Sequence, residues 1–333
     1  MSDQIMSQSL LDLKNISKVF KIGGGLGLIS RRTIKAVDSV SFTIPSDKAT
    51  ITALVGESGS GKTTIARIIL GFVEPTSGEV LYKNRRISDW LKKKRMGYLR
   101  EVQPIFQDPY SVYNPFYKIE RELEKIIKRF KLASSKAEKR ELMLNALKEI
   151  GLRPGDLIGR YPHQLSGGER QRFMLARILL MKPRFIVADE PISMVDVSLR
   201  TTFLDYLASF KDKLDISCLY ITHDLNVASY IADRIFVLCH GRVVEGGPTD
   251  AVIEDPLHPY TKLLVSSIAI PDPKRRWKEK TDLTSVESFE KLKAGEECIF
   301  SARCPYVKEV CKQKAPPFLE IKSGRKVACF LYF

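Results

Sequence analysis

The chain has 333 residues, 44% of them hydrophobic and 28% charged, enough to bury one large core plus a small appendage and too apolar for a disordered chain. No apolar run approaches the ~20 residues that a spanning helix needs, and no secretory leader is visible, so the chain reads as soluble, with any membrane attachment made through partners. A formal net charge of +15 raises nucleic acid and anionic lipid as partners. The basic residues are spread, however, and neither a zinc-finger nor an RNA-recognition motif appears.

Residues 1–9 read as a loose polar terminus and 10–108 as strands followed by a helix. Ile51 to Val55 is a short apolar run of the kind that forms a buried strand. It leads into Gly56-Glu57-Ser58-Gly59-Ser60-Gly61-Lys62-Thr63, a phosphate-binding loop of the form G-x4-G-K-[ST]. Gly56, Gly59 and Gly61 permit the tight turn that points backbone N–H groups at an anion. The helix that follows, Thr63 to Leu70, aims its N-terminus at the phosphates. Lys62 is placed to reach the β- and γ-phosphates and Thr63 to hold Mg²⁺. The loop by itself leaves kinases and GTPases open.

Residues 109–163 carry no strand-like run; Glu120 to Lys131 and Ala137 to Ile150 are amphipathic helix candidates. Leu165-Ser166-Gly167-Gly168-Glu169 precedes a long helical run, Arg170 to Leu180, with Ser166 as its N-cap. It is a second anion-binding helix start, and one γ-phosphate does not need two. A dimer does, if each chain supplies half of a shared site. Arg184 to Ala188 is a buried strand ending in Asp189 and Glu190, at the end where α/β sheets place ligands. There Asp189 would bind Mg²⁺ through water and Glu190 would direct a water at the γ-phosphate. Ser217 to Thr222 and Ile235 to Leu238 continue the alternation of helix and buried strand, which argues for a mainly parallel sheet.

After Pro256 the chain becomes rich in Pro, Lys and Cys. Cys218 and Cys239 fall in buried strands and read as inert core residues. Cys298, Cys304, Cys311 and Cys329 are spaced C-x5-C-x6-C-x17-C, without the C-x2-C pairs of a zinc ribbon. Four thiols in a reducing compartment suggest a metal site more than disulfides.

Taken together these segments resemble the nucleotide-binding subunit of an ABC transporter. The phosphate loop, Gln107, the Leu165–Glu169 segment, Asp189-Glu190, Asp196 and His223 occur in that family's order and at similar spacing, and the resemblance covers about residues 10–333. It implies an α/β fold: a P-loop NTPase core of the ABC ATPase type with a mainly parallel sheet at 10–108 and 164–255. A helical subdomain at 109–163 and a small cysteine-containing accessory domain at 256–333 complete it. By resemblance the ATP cradle is Gly56, Glu57, Ser58, Gly59, Ser60, Gly61, Lys62, Thr63 and Thr64. Gln107 senses Mg²⁺ and the attacking water, and His223 steadies the γ-phosphate. Ser166, Gly167 and Gly168 cap the partner chain's ATP, and Asp196 crosses the dimer seam. Phe20 is the candidate that stacks on adenine, with a core phenylalanine as the alternative.

The wording between the motifs resembles oligopeptide and dipeptide importers. Phe106-Gln107-Asp108-Pro109-Tyr110-Ser111, Arg160-Tyr161-Pro162-His163 and His258-Pro259-Tyr260-Thr261-Lys262 carry this likeness. Glu74 to Glu79 and the long 21–35 segment point to the F-type ATPase of the pair. Val112-Tyr113, Ser193-Met194 and the dense Lys92-Lys93-Lys94-Arg95 stretch depart from the branch's usual wording, none at a catalytic position. Arg303-Cys304-Pro305-Tyr306 resembles the branch's tail, which in some relatives holds a 4Fe–4S cluster; that cluster, zinc and free thiols all stay open for the four tail cysteines. The implied partners are a second, D-type ATPase, two membrane permeases and, indirectly, an extracellular substrate-binding protein, at the cytoplasmic face of the membrane. No specific nucleic acid is implied. Three other readings stand beside peptide import. One is an oligosaccharide importer of the same branch. Another is a non-transport ABC ATPase acting on DNA or ribosomes, which one cassette and the lack of a long heptad run disfavour. The last is a redox sensor built on the cysteine tail.

Overall fold

The computed structural model describes residues 9–22, 32–108, 113–267, 297–322 and 324–333. The described residues form two sheets. The first is antiparallel, in the order β2-β1-β4-β5, from β1 (Ser9–Ile22), β2 (Arg32–Pro45), β4 (Ser77–Tyr82) and β5 (Arg85–Arg86). The second has eight strands in the order β11-β12-β10-β9-β3-β8-β7-β6. Its centre is parallel: β3 (Ile51–Val55) lies between β8 (Ser217–Thr222) and β9 (Arg234–Cys239), with β7 (Phe185–Asp189) and β6 (Val102–Ile105) beyond β8. Antiparallel strands β10 (Arg242–Pro248), β12 (Arg325–Val327) and β11 (Leu319–Lys322) close the other side.

The apolar runs are continuous because both faces of the parallel strands are covered. Side chains alternate between two cores with the period of a strand. Ile51, Ala53, Val55, Ile186, Ala188, Cys218, Tyr220, Ile235 and Val237 face one core. Leu54, Phe185, Val187, Leu219, Ile221, Phe236 and Leu238 face the other. The helices Glu120–Phe130, Lys136–Glu149 and Gly167–Met181 supply Leu123, Ile127, Leu147, Phe173 and Ile178 to the first core. The helix Lys62–Ile69 and the antiparallel sheet fill the second with Ile65, Ile69, Leu11 and Tyr82.

The strands at 51–55, 185–189, 217–222 and 234–239 and the helices at 62–69, 120–130, 136–149 and 167–181 lie within about a turn of their sequence expectations. Two short helices, Ile87–Lys93 and Arg95–Glu101, interrupt the strand-rich first segment. The basic run Lys92 to Arg95 sits at their junction, exposed to solvent. Pro109 to Val112 and most of the 21–35 segment lie outside the described residues.

Among the described residues, the region after 256 has no large core of its own. Its strand β12 pairs with β10, bringing Val327 opposite Glu245. Cys298, Phe300 and Cys311 join the first core, and a small satellite forms around Leu257, Val327 and Cys329. Glu245 is fully buried and pairs with Arg325 at 3.1 Å. It also accepts the N–H groups of Leu257 and His258, both at 2.9 Å, so its charge is well satisfied and pins the chain's exit from the core. The described strands of this region, β11 and β12, thus extend the main sheet.

Candidate active site

The site is set by strand register. Val55 lies opposite Thr222, Asp189 opposite Ile221 and Ile105 opposite Ala188, so four parallel strands end level. The phosphate loop leaves β3 there, Glu190 follows β7, His223 follows β8 and Gln107 follows β6. An open α/β sheet places its ligands beyond this edge.

The loop is built for an anion. Gly61 adopts φ +104°, and a Cβ on it would stand 2.2 Å from the Ala36 carbonyl oxygen. Among the described residues no side chain caps the helix that Gly61 begins, which leaves its first N–H groups open. Ser60 is buried, and its hydroxyl has no hydrogen-bond partner among the described residues. Lys62 is 5% exposed and donates to the carbonyls of Gly56 (2.7 Å) and Glu57 (2.8 Å). Burial lowers its pKa, against the pull of Glu190, Asp189 and Glu57. A buried ammonium, an orphaned hydroxyl and an uncapped helix start fit a polyphosphate.

Beside the loop, the Thr63 hydroxyl donates to Asp189 Oδ1 at 3.3 Å. Burial raises the Asp189 pKa above the usual carboxylate range, although the Thr63 hydrogen bond pulls it down. A hydroxyl and a desolvated carboxylate together suit Mg²⁺, an oxygen-seeking cation. Glu190 receives Gln107 Nε2 on one carboxylate oxygen and lies against His223 Nδ1 on the other, both at 3.1 Å. Its backbone is left-handed, with φ +44°. The turn enforces this, because the Glu190 N–H donates to Ile221 O (2.9 Å) and its carbonyl accepts the Ser193 hydroxyl (3.0 Å). Gln107, Glu190 and His223, far apart in sequence, thus meet at one carboxylate. An open cleft of about 510 Å³ runs from Thr63 and Asp189 past Gln107 to Phe106 and Phe72.

The second helix start lies elsewhere. Ser166 caps Gly167–Met181, its hydroxyl accepting the Glu169 N–H (3.2 Å) while its own N–H donates to Glu169 Oε2 (2.8 Å). A Cβ on Gly168 would meet Leu199 Cδ1 at 2.5 Å. No hydrogen bond joins Ser166, Gly167 or Gly168 to the phosphate loop among the described residues. Asp196 is exposed at the start of the helix Val197–Leu214, beside exposed Met194 and Val197. Phe20 is not a core residue: it sits on β1 at 37% exposure, with the Lys18 ammonium 5.3 Å from its ring centre.

Two contacts escaped the sequence. The Tyr260 hydroxyl accepts the Glu57 N–H at 3.1 Å, and Arg303 pairs with the Glu57 carboxylate at 3.3 Å. Both motifs that hold them were visible, but nothing in their spacing points to the phosphate loop. Cys298, Cys304, Cys311 and Cys329 line one small cavity together with His258, Phe300 and Lys308. Among the described residues no three His, Cys, Asp or Glu side chains are grouped closely enough to hold a single metal ion. Cys218 and Cys239 are buried, and burial pushes both thiols well up.

Comparison with known proteins agrees with this geometry. Residues 37–193 match the ABC transporter family model, and residues 244–311 match the oligopeptide/dipeptide transporter C-terminal region. A probable peptide ABC transporter ATP-binding protein of Sinorhizobium fredii is 36% identical, over 97% of this chain and 90% of that protein. The oligopeptide transport ATP-binding protein AppF of Bacillus subtilis is 35% identical over 98% of each chain. Among solved structures, the dimeric ATP-binding cassette MJ0796 in a post-hydrolysis state with ADP and Pi is similar, with a TM-score of 0.62 and 28% identity. That match covers 72% of this chain and 98% of the cassette. The chain belongs to the ABC transporter ATPases, in the branch whose ATP-binding proteins carry the oligopeptide/dipeptide C-terminal region.

Proposed function

We propose that this chain is the F-type ATPase subunit of an oligopeptide or dipeptide importer, working head-to-tail with a second, D-type ATPase. The observation that carries the reading is the split between the two helix starts. Lys62, Thr63 and Asp189 gather on one side with Gln107, Glu190 and His223, while among the described residues no hydrogen bond joins Ser166 or Gly168 to that loop. A second chain would complete each half, across a seam that includes exposed Asp196, Met194 and Val197. Catalysis then rests on positioning and charge stabilisation. Glu190, fixed by its left-handed turn, orients the attacking water and accepts its proton, and His223 meets the γ-phosphate. Thr63 and Asp189, with Gln107 nearby, would hold Mg²⁺, which would neutralise phosphate charge. Phe20, exposed near the end of β1, is the candidate adenine platform.

No helix among the described residues is long and apolar enough to cross a membrane. The chain would therefore attach through two permease subunits at the cytoplasmic face, with the cargo delivered by an extracellular binding protein. The cleft between Gln107 and exposed Phe72 opens at the active site and suits a permease contact that would feel nucleotide state. By resemblance, the helices of 109–163 would add to that docking face. The four tail thiols share one cavity with no carboxylate among its lining residues and no tight three-ligand group. A set of four thiols suits a single zinc ion, and it suits as well a multi-iron group held by Cys298, Cys304, Cys311 and Cys329. When bound it would serve as a structural crosslink of the tail, and iron content of the purified chain tests it. ATP turnover of the chain alone against the chain assembled with a second ATPase and permeases tests the main reading. Assembly should raise turnover strongly, and equal rates would defeat the shared-site proposal.

A further inference from the structure

Glu57 is the one acidic residue in the 56–64 loop. A carboxylate in a cradle meant for a polyphosphate repels its ligand, and its charge reaches Lys62, where it favours the ammonium. The structure gives that carboxylate a cationic partner. Arg303, separated from it by 246 positions, points Nη1 at both Glu57 oxygens at 3.3 Å, with the Arg303 side chain 20% exposed. The Tyr260 hydroxyl accepts the N–H of the same glutamate at 3.1 Å. These contacts close a ring. The Tyr260 ring packs on Phe300 with centroids 5.4 Å apart, and the Arg303 guanidinium lies 5.6 Å from the centre of the Phe300 ring. The ring's far side is tied into the thiol region. Arg303 belongs to the short turn Ser301–Arg303, whose Ser301 N–H donates to Cys298 O at 3.0 Å and whose next residue is Cys304.

We propose that Arg303 is a positioning residue for nucleotide binding: it neutralises Glu57 and, with Tyr260, braces the first turn of the phosphate loop from the tail. The inference rests on the loop's binding ATP. The turn that carries Arg303 runs between two of the four thiols, so the packing of their cavity sets where the brace stands. The region after 256 is thereby part of the ATP site's support, and the ATP affinity of this ATPase depends on a residue that no phosphate touches.

Equilibrium binding of Mg-ATP to the full-length chain, with thermal melting of each variant, tests it. Arg303→Gln bares the Glu57 carboxylate and should weaken binding by about tenfold, the order expected for one unscreened charge near a polyphosphate. Glu57→Gln alone removes that repulsion and should bind at least as tightly as wild type. In the Arg303→Gln background Glu57→Gln should restore most of the lost affinity, which a purely structural arginine would not allow. Arg303→Lys keeps the charge and should stay within about threefold of wild type. Tyr260→Phe removes only the hydroxyl and should weaken binding by a few fold with little change in melting. Wild-type affinity in Arg303→Gln, or a double variant no better than Arg303→Gln, overturns the proposal. Should Arg303→Gln not fold, unchanged affinity in Tyr260→Phe together with looser binding by Glu57→Gln would overturn it. A wild-type chain that does not bind Mg-ATP would instead defeat the reading of the loop.

Discussion

The helix starts at Gly61 and Ser166 use glycine-rich turns for opposite ends. The first is left open: among the described residues no side chain caps it and the Ser60 hydroxyl has no partner, and the Lys62 ammonium rests on two carbonyls. The second is closed on itself by the reciprocal Ser166–Glu169 capping box. An open start carries unmet hydrogen-bonding demand, which a ligand of the same chain can satisfy. A closed start is stable without any ligand, so it can wait on the surface for the nucleotide of another chain. The phosphate loop therefore depends on its ligand and its tail, whereas the helix Gly167–Met181 depends on neither.

The sharpest way to break this comparison is at the open end. Glu190→Gln keeps the size of the side chain and its contact with His223, yet removes the carboxylate proposed to direct water. Turnover in the assembled transporter should fall by about a hundredfold to ten-thousandfold, while Mg-ATP affinity of the chain changes little. Near-normal turnover would remove Glu190 from the mechanism and leave the meeting of Gln107, Glu190 and His223 without a chemical purpose.

Much of that end was legible beforehand. The runs at 51–55, 185–189, 217–222 and 234–239 are apolar on both alternating faces, and only a covered parallel sheet tolerates that. The glycine spacing of 56–63 fixes the loop, and Ser166 with Glu169 fixes the other helix start. The left-handed backbone of Glu190 was hidden, because it follows from contacts with Ile221 and Ser193 and not from any local preference of glutamate. Phe20 could not be placed either, since a phenylalanine on a strand gives no sign of which face is covered. The role of the tail was the least legible part. The cysteine spacing left a cluster, zinc and free thiols open, and the reach of Arg303 to Glu57 across 246 positions arises only in the folded chain.

A third helix start sharpens the distinction between open and closed ends, because its closure titrates. His258 Nδ1 accepts the Tyr260 N–H at 3.0 Å at the head of the helix Pro259–Ser266. Burial drives its pKa down from 6.5 to about 4. A protonated ring would have only donors to offer that N–H. The unfolded chain takes up the proton near its ordinary pKa and the folded chain resists it. Stability is thus full above about pH 6.5 and is lost as pH falls toward 4, by roughly 3 kcal/mol at most. His258→Asn keeps an acceptor at the cap without titrating, and should flatten this part of the stability–pH profile measured by denaturant unfolding. An unchanged slope in that variant would assign the pH dependence to other groups.

The smallest effect tests the closed end, and it separates two roles of one hydroxyl. Ser166→Ala removes the acceptor for the Glu169 N–H, at a cost of about 1 kcal/mol in unfolding free energy. The Glu169 carboxylate still receives the Ser166 backbone N–H, so the box is weakened and not abolished. If Ser166 serves only its own helix, that loss is the whole effect. If it also faces the partner's nucleotide, the chain binds Mg-ATP as before, because its own phosphate loop is untouched. Turnover of the assembled ATPase pair then drops by more than the stability loss explains, and the drop belongs to the composite site whose phosphate loop lies on the partner. Pairing Ser166→Ala with a partner whose own phosphate-loop lysine is replaced locates it: the two changes fall on the same site, and their effects on turnover should not multiply. Multiplying effects would mean that the open and closed starts of this chain serve a single ATP.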